Sequence, residues 1–285
     1  MNPLYFYNSL CYQTNEILIL LWIKKMRLKI LFFLFIVSSI LFAQTPTPEQ
    51  EATDLKDFES VKSLIKRGRT KEARTSLKEF IDKYPNSELQ PEARYTYAKL
   101  NNNINSAIED FLLIVNTFPD SPFAEKSQYQ IADYYYLNGK YNEAIDEYQK
   151  YINQYPNGEF IEQAMINLSN CLILNGKYTD ALHLLQQVQT KFKPKAKDPF
   201  IIDAIGECYL GMGDYQNTNK IYKELISKFP NYELLSKAYL NYALSLEELN
   251  QLDEAKKYYN ELIKSFPKSR EALLAQYRLD DIEKK

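Results

Sequence analysis

The stretch LNGKYNEAIDEYQKYINQYP, residues 137–156, contains a turn, an amphipathic segment and a proline stop. A near copy, LNGKYTDALHLLQQVQTKF, follows at residues 174–192. Gly139 lies where a helix would end in left-handed backbone, a conformation that glycine adopts without strain. Pro156 lies where the next helix must stop, because proline cannot extend the hydrogen-bond ladder. The stretch therefore predicts a turn followed by the second helix of a helix–turn–helix unit.

The same unit recurs along the chain with a period near 37 residues. The stops are Pro85, Pro119, Pro156, Pro194, Pro230 and Pro267. A small residue precedes each stop by 12 or 13 positions: Ala73, Ala107, Ala144, Ala181, Thr218 and Ala255. Four copies carry another small residue 12 positions further back: Ala132, Ser169, Gly206 and Ala243. A fixed period of this length indicates a stack of repeated supersecondary units.

The small residues have a physical role in such a unit. Two antiparallel helices approach closely only where both carry small side chains at the crossing. Ala132 with Ala144, and Gly206 with Thr218, are predicted crossing pairs. Because one helix pair cannot bury its own apolar face, neighbouring pairs must stack to form a core.

These residues resemble the tetratricopeptide repeat pattern over roughly residues 55–285. One repeat fills its places with Ile131, Ala132, Tyr135, Ala144, Tyr148 and Pro156. The resemblance implies an all-α, right-handed α-solenoid of about six helix–turn–helix repeats plus a C-terminal capping helix. We expect helix pairs at 55–84, 91–118, 122–155, 159–192, 199–229 and 233–266, and a last helix at 269–283. A cap needs a polar outer face, since nothing stacks beyond it.

The repeat is about 37 residues long, and an aromatic residue directly precedes five of the six stop prolines. These two features make the resemblance more specific. The chain is similar to periplasmic repeat proteins of the YbgF/CpoB type and to BamD-like outer-membrane assembly proteins. BamD-like proteins carry a lipidated cysteine, which is missing here. Proteins of the YbgF type often have an N-terminal coiled coil, and only a short linker takes its place.

The first 43 residues differ from the rest. A basic cluster at residues 24–29 precedes an apolar run from Ile30 to Phe42. As a helix the run spans about 20 Å, less than the roughly 30 Å of a bilayer core. These features predict a secretory signal sequence at 1–43, with Met26 as the probable true start. Cleavage after Ala43, cleavage after Ser39 and retention as an anchor all remain open.

The segment after the signal bears on localisation. Residue 44 is Gln44 rather than the cysteine that a lipoprotein requires, so we expect an exported, periplasmic protein that is not a lipoprotein. Residues 44–54 form a Pro/Thr-rich linker with little to bury. Membrane contact is expected only through an uncleaved signal sequence.

Composition and motifs argue against catalysis. The formal net charge is −2, so no basic field gathers nucleic acid. The chain has one histidine, His183, and no GxSxG, HExxH, P-loop or GxGxxG motif. We expect a non-enzymatic protein with no cofactor, no metal and no small-molecule substrate. His183 is expected to be an ordinary surface side chain.

Cys171 and Cys208 occupy equivalent positions in adjacent repeats, 37 residues apart. Equivalent positions on stacked helices lie about 8–10 Å apart, whereas a disulfide needs Cα atoms within about 7 Å. Two separate, partly buried thiols are therefore favoured, with a disulfide as the alternative.

Function is expected on the concave face of the solenoid. The resemblance places there the residues three before, one after and four after the small residue of each first helix. These are Tyr129, Asp133, Tyr136, Ile166, Asn170, Ile173, Asp203, Glu207, Leu210, Leu240, Leu244 and Glu247. The first position of each set is never lysine, so a carboxylate clamp is not expected, and an apolar or basic peptide suits the groove better. Alternatively, some of the twelve side chains only pack against neighbouring helices.

The resulting hypothesis is a scaffold of the cell envelope that binds partner proteins or peptides, in envelope assembly or division coordination. The rival hypothesis is a peptidoglycan- or carbohydrate-binding repeat module.

Overall fold

The computed structural model describes Met26 and residues 48–193 and 197–284, which fall into two compact units. The helices are α1 Pro48–Lys66, α2 Thr70–Lys83, α3 Gln90–Lys99, α4 Ile104–Thr117, α5 Pro122–Leu137, α6 Tyr141–Gln154, α7 Ile161–Leu174, α8 Tyr178–Lys191, α9 Pro199–Gly211, α10 Tyr215–Lys228, α11 Leu235–Glu248, α12 Leu252–Ser265 and α13 Arg270–Glu283. No β-strand occurs in these ranges. The predicted all-α fold of six helix pairs and a last helix is confirmed. Apart from Met26, the predicted signal sequence lies outside the described residues.

The first unit, residues 48–97, holds α1, α2 and most of α3. α1 packs on α2 through Phe58 and Phe80, whose ring centroids are 5.2 Å apart. α1 includes residues 48–54, which are helical although their composition suggested a linker.

Left-handed residues follow the first helix in five of the six pairs, including the three turn glycines that the sequence predicted. Gly139, Gly176 and Gly213 have φ between 71° and 74°. At the first of these turns, the N–H of Gly139 donates to the carbonyl of Tyr136 at 3.0 Å. In the sixth pair, Asn250 takes the same role with φ 57°. Asparagine is one of the few residues with a side chain that tolerates this conformation.

The second unit, residues 98–284, is a stack of helix pairs. From α4 onward each helix packs against the next. Consecutive first helices, α5, α7, α9, α11 and α13, also contact one another. No comparable contact joins consecutive second helices within the described part of this unit. The first helices therefore form its inner layer.

The small residues of the inner layer make room for aromatic rings. Ala132 and Ala144 are fully buried, as expected of a helix crossing. At Gly206 the sequence predicted a crossing with Thr218, and this pairing stays a prediction. A Cβ on Gly206 would lie 2.8 Å from the ring of Tyr222, one turn beyond Thr218. The glycine is needed to accommodate this ring.

Buried tyrosine hydroxyls join successive pairs. Tyr148 of the third pair is fully buried, and its hydroxyl accepts a hydrogen bond from Asn167 Nδ2 of the fourth pair at 2.9 Å. The hydroxyl of Tyr222 of the fifth pair likewise accepts from Asn241 Nδ2 of the sixth pair at 2.9 Å. We call each of these contacts a hydroxyl link.

The described residues form no hydroxyl link between the fourth and fifth pairs. The equivalent positions hold Leu185 and Ala204, both buried and apolar. At the last junction the Tyr259 hydroxyl donates to Glu247 Oε2 at 2.8 Å, and Arg278 of α13 donates to both oxygens of the same carboxylate.

The last helix, α13, is less polar outside than a cap was expected to be. Its inner face buries Leu279 and Ile282. Its outer face leaves Leu273, Leu274 and Tyr277 exposed, the last by 59%. The expectation of a polar outer face was therefore wrong for this turn of the helix.

Candidate partner-binding groove

The inner layer presents one recurring face, which we call the groove face. It consists of the twelve residues predicted from the sequence, which lie at i, i+4 and i+7 on the four first helices α5, α7, α9 and α11. Side-chain caps mark the starts of two of these helices. Ser121 caps α5 by accepting from Phe123 N–H, and Asp198 caps α9 by accepting from Phe200 N–H. A proline at the first position follows each of these two caps, where its fixed φ suits the helix.

Burial divides the twelve residues into two groups. Tyr129, Asp203 and Leu240 are buried, with 7%, 3% and 8% of their surface exposed. The remaining nine are half-buried: Asp133, Tyr136, Ile166, Asn170, Ile173, Glu207, Leu210, Leu244 and Glu247. Only this second group offers surface to a partner without rearrangement.

Tyr129 is chiefly a packing residue. Its ring stacks on Phe160 at 4.6 Å, and its hydroxyl accepts from Asn167 Nδ2 at 3.4 Å. Burial raises the pKa of its hydroxyl to about 12, so it remains a neutral hydrogen-bonding group. Tyr136, two turns along the same helix, is half-buried, and its ring lies 6.1 Å from that of Tyr141.

The acidic positions are engaged in contacts that sequence reasoning missed. Lys237 Nζ lies 3.0 Å from Asp203 Oδ2 and 2.6 Å from Glu207 Oε1. Burial alone would lower the pKa of Lys237, but these two carboxylates outweigh it and raise the pKa. Arg278 pairs with Glu247 through two hydrogen bonds. Each cation comes from the next first helix, about one repeat later in the chain.

Asp133 is the acidic position of the groove face that has no such ion pair within the described part of the chain. Tyr148 hydroxyl donates to its Oδ1 at 3.3 Å. Burial raises the pKa of the Asp133 carboxyl, and the Tyr148 hydrogen bond offsets part of this effect. The groove face thus carries one carboxylate that is held mainly by a neutral donor.

The remaining candidate chemistry is sparse. Cys171 and Cys208 are buried free thiols, as the spacing argument favoured, and burial raises the pKa of each to about 12. His183 is exposed and contacts Gln187, as expected. The described residues contain no group of three side chains suited to hold a metal ion. Among them, no helix is both long and apolar enough to cross a membrane.

Comparison with known families agrees with this geometry. Residues 145–285 match the SusR N-terminal TPR domain family, and residues 58–87 and 126–158 match the tetratricopeptide repeat family. The chain is a tetratricopeptide repeat protein. Members of this repeat family generally serve as non-catalytic scaffolds for protein interactions. The narrower similarity to YbgF/CpoB-type and BamD-like proteins stays a prediction. No curated protein matches the chain.

Solved structures share the fold at low sequence identity. A tetratricopeptide repeat protein from Parabacteroides merdae is 13% identical with a TM-score of 0.60, over 81% of this chain and 87% of that one. PilF of Pseudomonas aeruginosa is 14% identical with a TM-score of 0.53, over 80% and 98%. YrrB, described as a TPR protein with an unusual peptide-binding site, is 16% identical with a TM-score of 0.55, over 70% and 97%.

Proposed function

We propose that this tetratricopeptide repeat protein is a non-enzymatic scaffold that binds partner proteins or peptides along its groove face. One observation carries the proposal: nine half-buried side chains recur at one register on four aligned first helices. A rigid row of this kind can hold an extended segment at several points. Tyr136, Ile173 and Leu244 offer apolar contacts on this row, interspersed with polar groups.

The proposed site of action is the cell envelope, in envelope assembly or division coordination. This part rests on the basic and apolar segments of residues 24–42, which predict export. YrrB supports the idea of peptide recognition by this fold, since its description names a peptide-binding site. At 16% identity the likeness concerns the fold, so we transfer no partner and no residue role from it.

Carbohydrate recognition is the weaker rival. A sugar-binding cleft needs aromatic rings with open faces, but Tyr148, Tyr151, Tyr222 and Tyr259 are fully buried in the stack. These rings serve packing, which is the ordinary use of large amphipathic side chains in a core.

Site-specific photo-crosslinking tests the proposal. A photoreactive amino acid is placed at Tyr136 or Ile173 in the full chain, and at Gln149 or Lys257, exposed on second helices, as matched controls. Crosslinks are made in the native envelope and identified by mass spectrometry. We expect one discrete set of protein partners from the groove positions and none of that set from the controls. Equal products from all four positions, or capture of peptidoglycan fragments alone, would reject the groove assignment.

The N-terminus of the isolated protein tests export separately. Cleavage of the signal sequence should give a mature chain that begins near Gln44. An intact Met26 or Met1 terminus would show that the segment is retained.

A further inference from the structure

Two carboxylates of the groove face share a single cation. Asp203 and Glu207 lie one turn apart on α9, and Lys237 of α11 contacts both, at 3.0 Å and 2.6 Å. Tyr232 hydroxyl also donates to Asp203 Oδ2 at 3.0 Å. The cluster therefore carries one excess negative charge, which its own contacts do not neutralise. It is open on one side, since the Glu207 and Lys237 side chains are 32% and 29% exposed.

One oxygen of the cluster has no hydrogen bond. Only 3% of the Asp203 surface is exposed, yet its Oδ1 has no hydrogen-bond partner within the described part of the chain. Buried polar atoms are nearly always paired, so an unpaired carboxylate oxygen here is unusual. It indicates a place for a donor that the isolated chain does not supply.

An aromatic ring borders the cluster. Phe200 lies one turn before Asp203 on α9 and is 50% exposed, and its ring packs edge-on against Tyr232 at 5.1 Å. An exposed ring beside unneutralised carboxylates favours a planar cation, because guanidinium stacks on aromatic rings and bonds carboxylates with two parallel donors. A metal ion is less suitable, since the described residues bring no third acidic, histidine or cysteine ligand to this cluster.

We propose that the cluster of Asp203, Glu207 and Phe200 binds the guanidinium of an arginine on the partner. Lys237 already lies closer to Glu207 than to Asp203, and binding requires it to shift further toward Glu207 so that Asp203 becomes accessible to the incoming group. This inference rests on the proposed function and specifies its chemistry: the partner is a protein segment that carries arginine. The excess negative charge of the cluster is then neutralised in the complex.

Binding of fluorescein-labelled tetra-arginine to the full chain, measured by anisotropy at low salt, tests the proposal. Tetra-citrulline has the same shape without the charge, and tetralysine has the charge without the planar group. Glu207→Gln should weaken tetra-arginine binding by about fivefold or more, because it removes an accessible charged acceptor. The matched control Glu224→Gln makes the same charge change at an exposed pair on α10 and should alter binding by less than about twofold.

Phe200→Ala should weaken tetra-arginine more than tetralysine, because only guanidinium stacks on the ring. Equal effects of Glu207→Gln and Glu224→Gln would show that attraction is non-specific and overturn the site. Equal affinity for tetra-arginine and tetralysine would overturn the guanidinium assignment. Glu207→Gln keeps the Asp203–Lys237 pair, and an unchanged unfolding midpoint confirms that it folds. If tetra-arginine fails to bind while groove crosslinks persist, only this inference falls and the proposed function stands.

Discussion

The hydroxyl link between the third and fourth pairs gives the sharpest stability prediction. Tyr148→Phe removes an acceptor from Asn167 Nδ2 at 2.9 Å and a donor to Asp133 Oδ1 at 3.3 Å. The ring itself stays, so apolar burial is nearly unchanged. A net hydrogen bond contributes about 0.5–1.5 kcal/mol, and a buried group left unpaired costs about 1–3 kcal/mol. Asn167 Nδ2 keeps only a 3.4 Å bond to Tyr129, so we expect a loss of about 2 kcal/mol.

Urea unfolding followed by circular dichroism measures this loss, and the melting temperature should fall by about 4–8 °C. Tyr277→Phe is the matched control, because its hydroxyl lies on an exposed ring and should change stability by less than about 0.5 kcal/mol. Asn167→Leu replaces the other partner by an apolar group. The double variant should be more stable than the sum of the single losses predicts, by about 1 kcal/mol. Additive losses, within about 0.3–0.5 kcal/mol, would refute the link.

Three further predictions concern the second unit, residues 98–284. Burial raises the pKa of Cys171 and Cys208 to about 12. At pH 8 both should therefore react with iodoacetamide at least about 100-fold more slowly in the native protein than in urea. Rapid labelling of the native protein, detected by peptide mass spectrometry, would contradict their burial. The raised pKa of Asp133 means that its charge destabilises the native state at neutral pH, and this penalty disappears as pH falls through the raised value toward 3.8. Asp133→Asn should therefore stabilise the protein against urea at pH 7 but much less at pH 3, and an equal gain at both pH values would exclude the charge as the cause. Gly206→Ala forces a methyl group to 2.8 Å from the Tyr222 ring and should cost about 1–3 kcal/mol in thermal unfolding. The same change should cost much less when it is made in a Tyr222→Leu background, and no loss in the native background would show that the ring has room to move.

Much of the fold could be predicted because its signals are local and repeated. Turn glycines such as Gly139 and stops such as Pro156 act through their own backbone, and the apolar period sets the buried face of each helix. The helical state of residues 48–54 was missed, because a segment with polar composition can still be helical when the helix continues into a buried face. The Tyr222 ring beside Gly206 was also missed, because offsets in sequence do not specify which side chain fills the space beside a glycine.

The role of the twelve groove positions in partner binding stays a prediction. The family resemblance supplied the groove positions, and the structure buries three of the twelve. Acidic positions of the groove face pair with Lys237 and Arg278. Each of these cations belongs to the following first helix, so the sequence of a single repeat does not indicate the pairing. The hydroxyl links could have been found from the sequence. Each asparagine follows its tyrosine by 19 residues, and a search for complementary polar pairs at fixed offsets would detect them.

The apolar junction at Leu185 and Ala204 separates two junctions that carry the same hydroxyl link. Tyr148 and Tyr222 are 74 residues apart, as are Asn167 and Asn241. Loss of the fifth pair alone would place Asn241 against Leu185, and loss of the fourth pair alone would place Tyr148 against Ala204. Excision of residues 157–230 would instead bring Tyr148 to Asn241 and join Pro156 to Asn231, in place of the present Pro–Asn bonds at both ends. In terms of inheritance, residues 157–230 form a double repeat whose loss would keep a tyrosine hydroxyl opposite an asparagine.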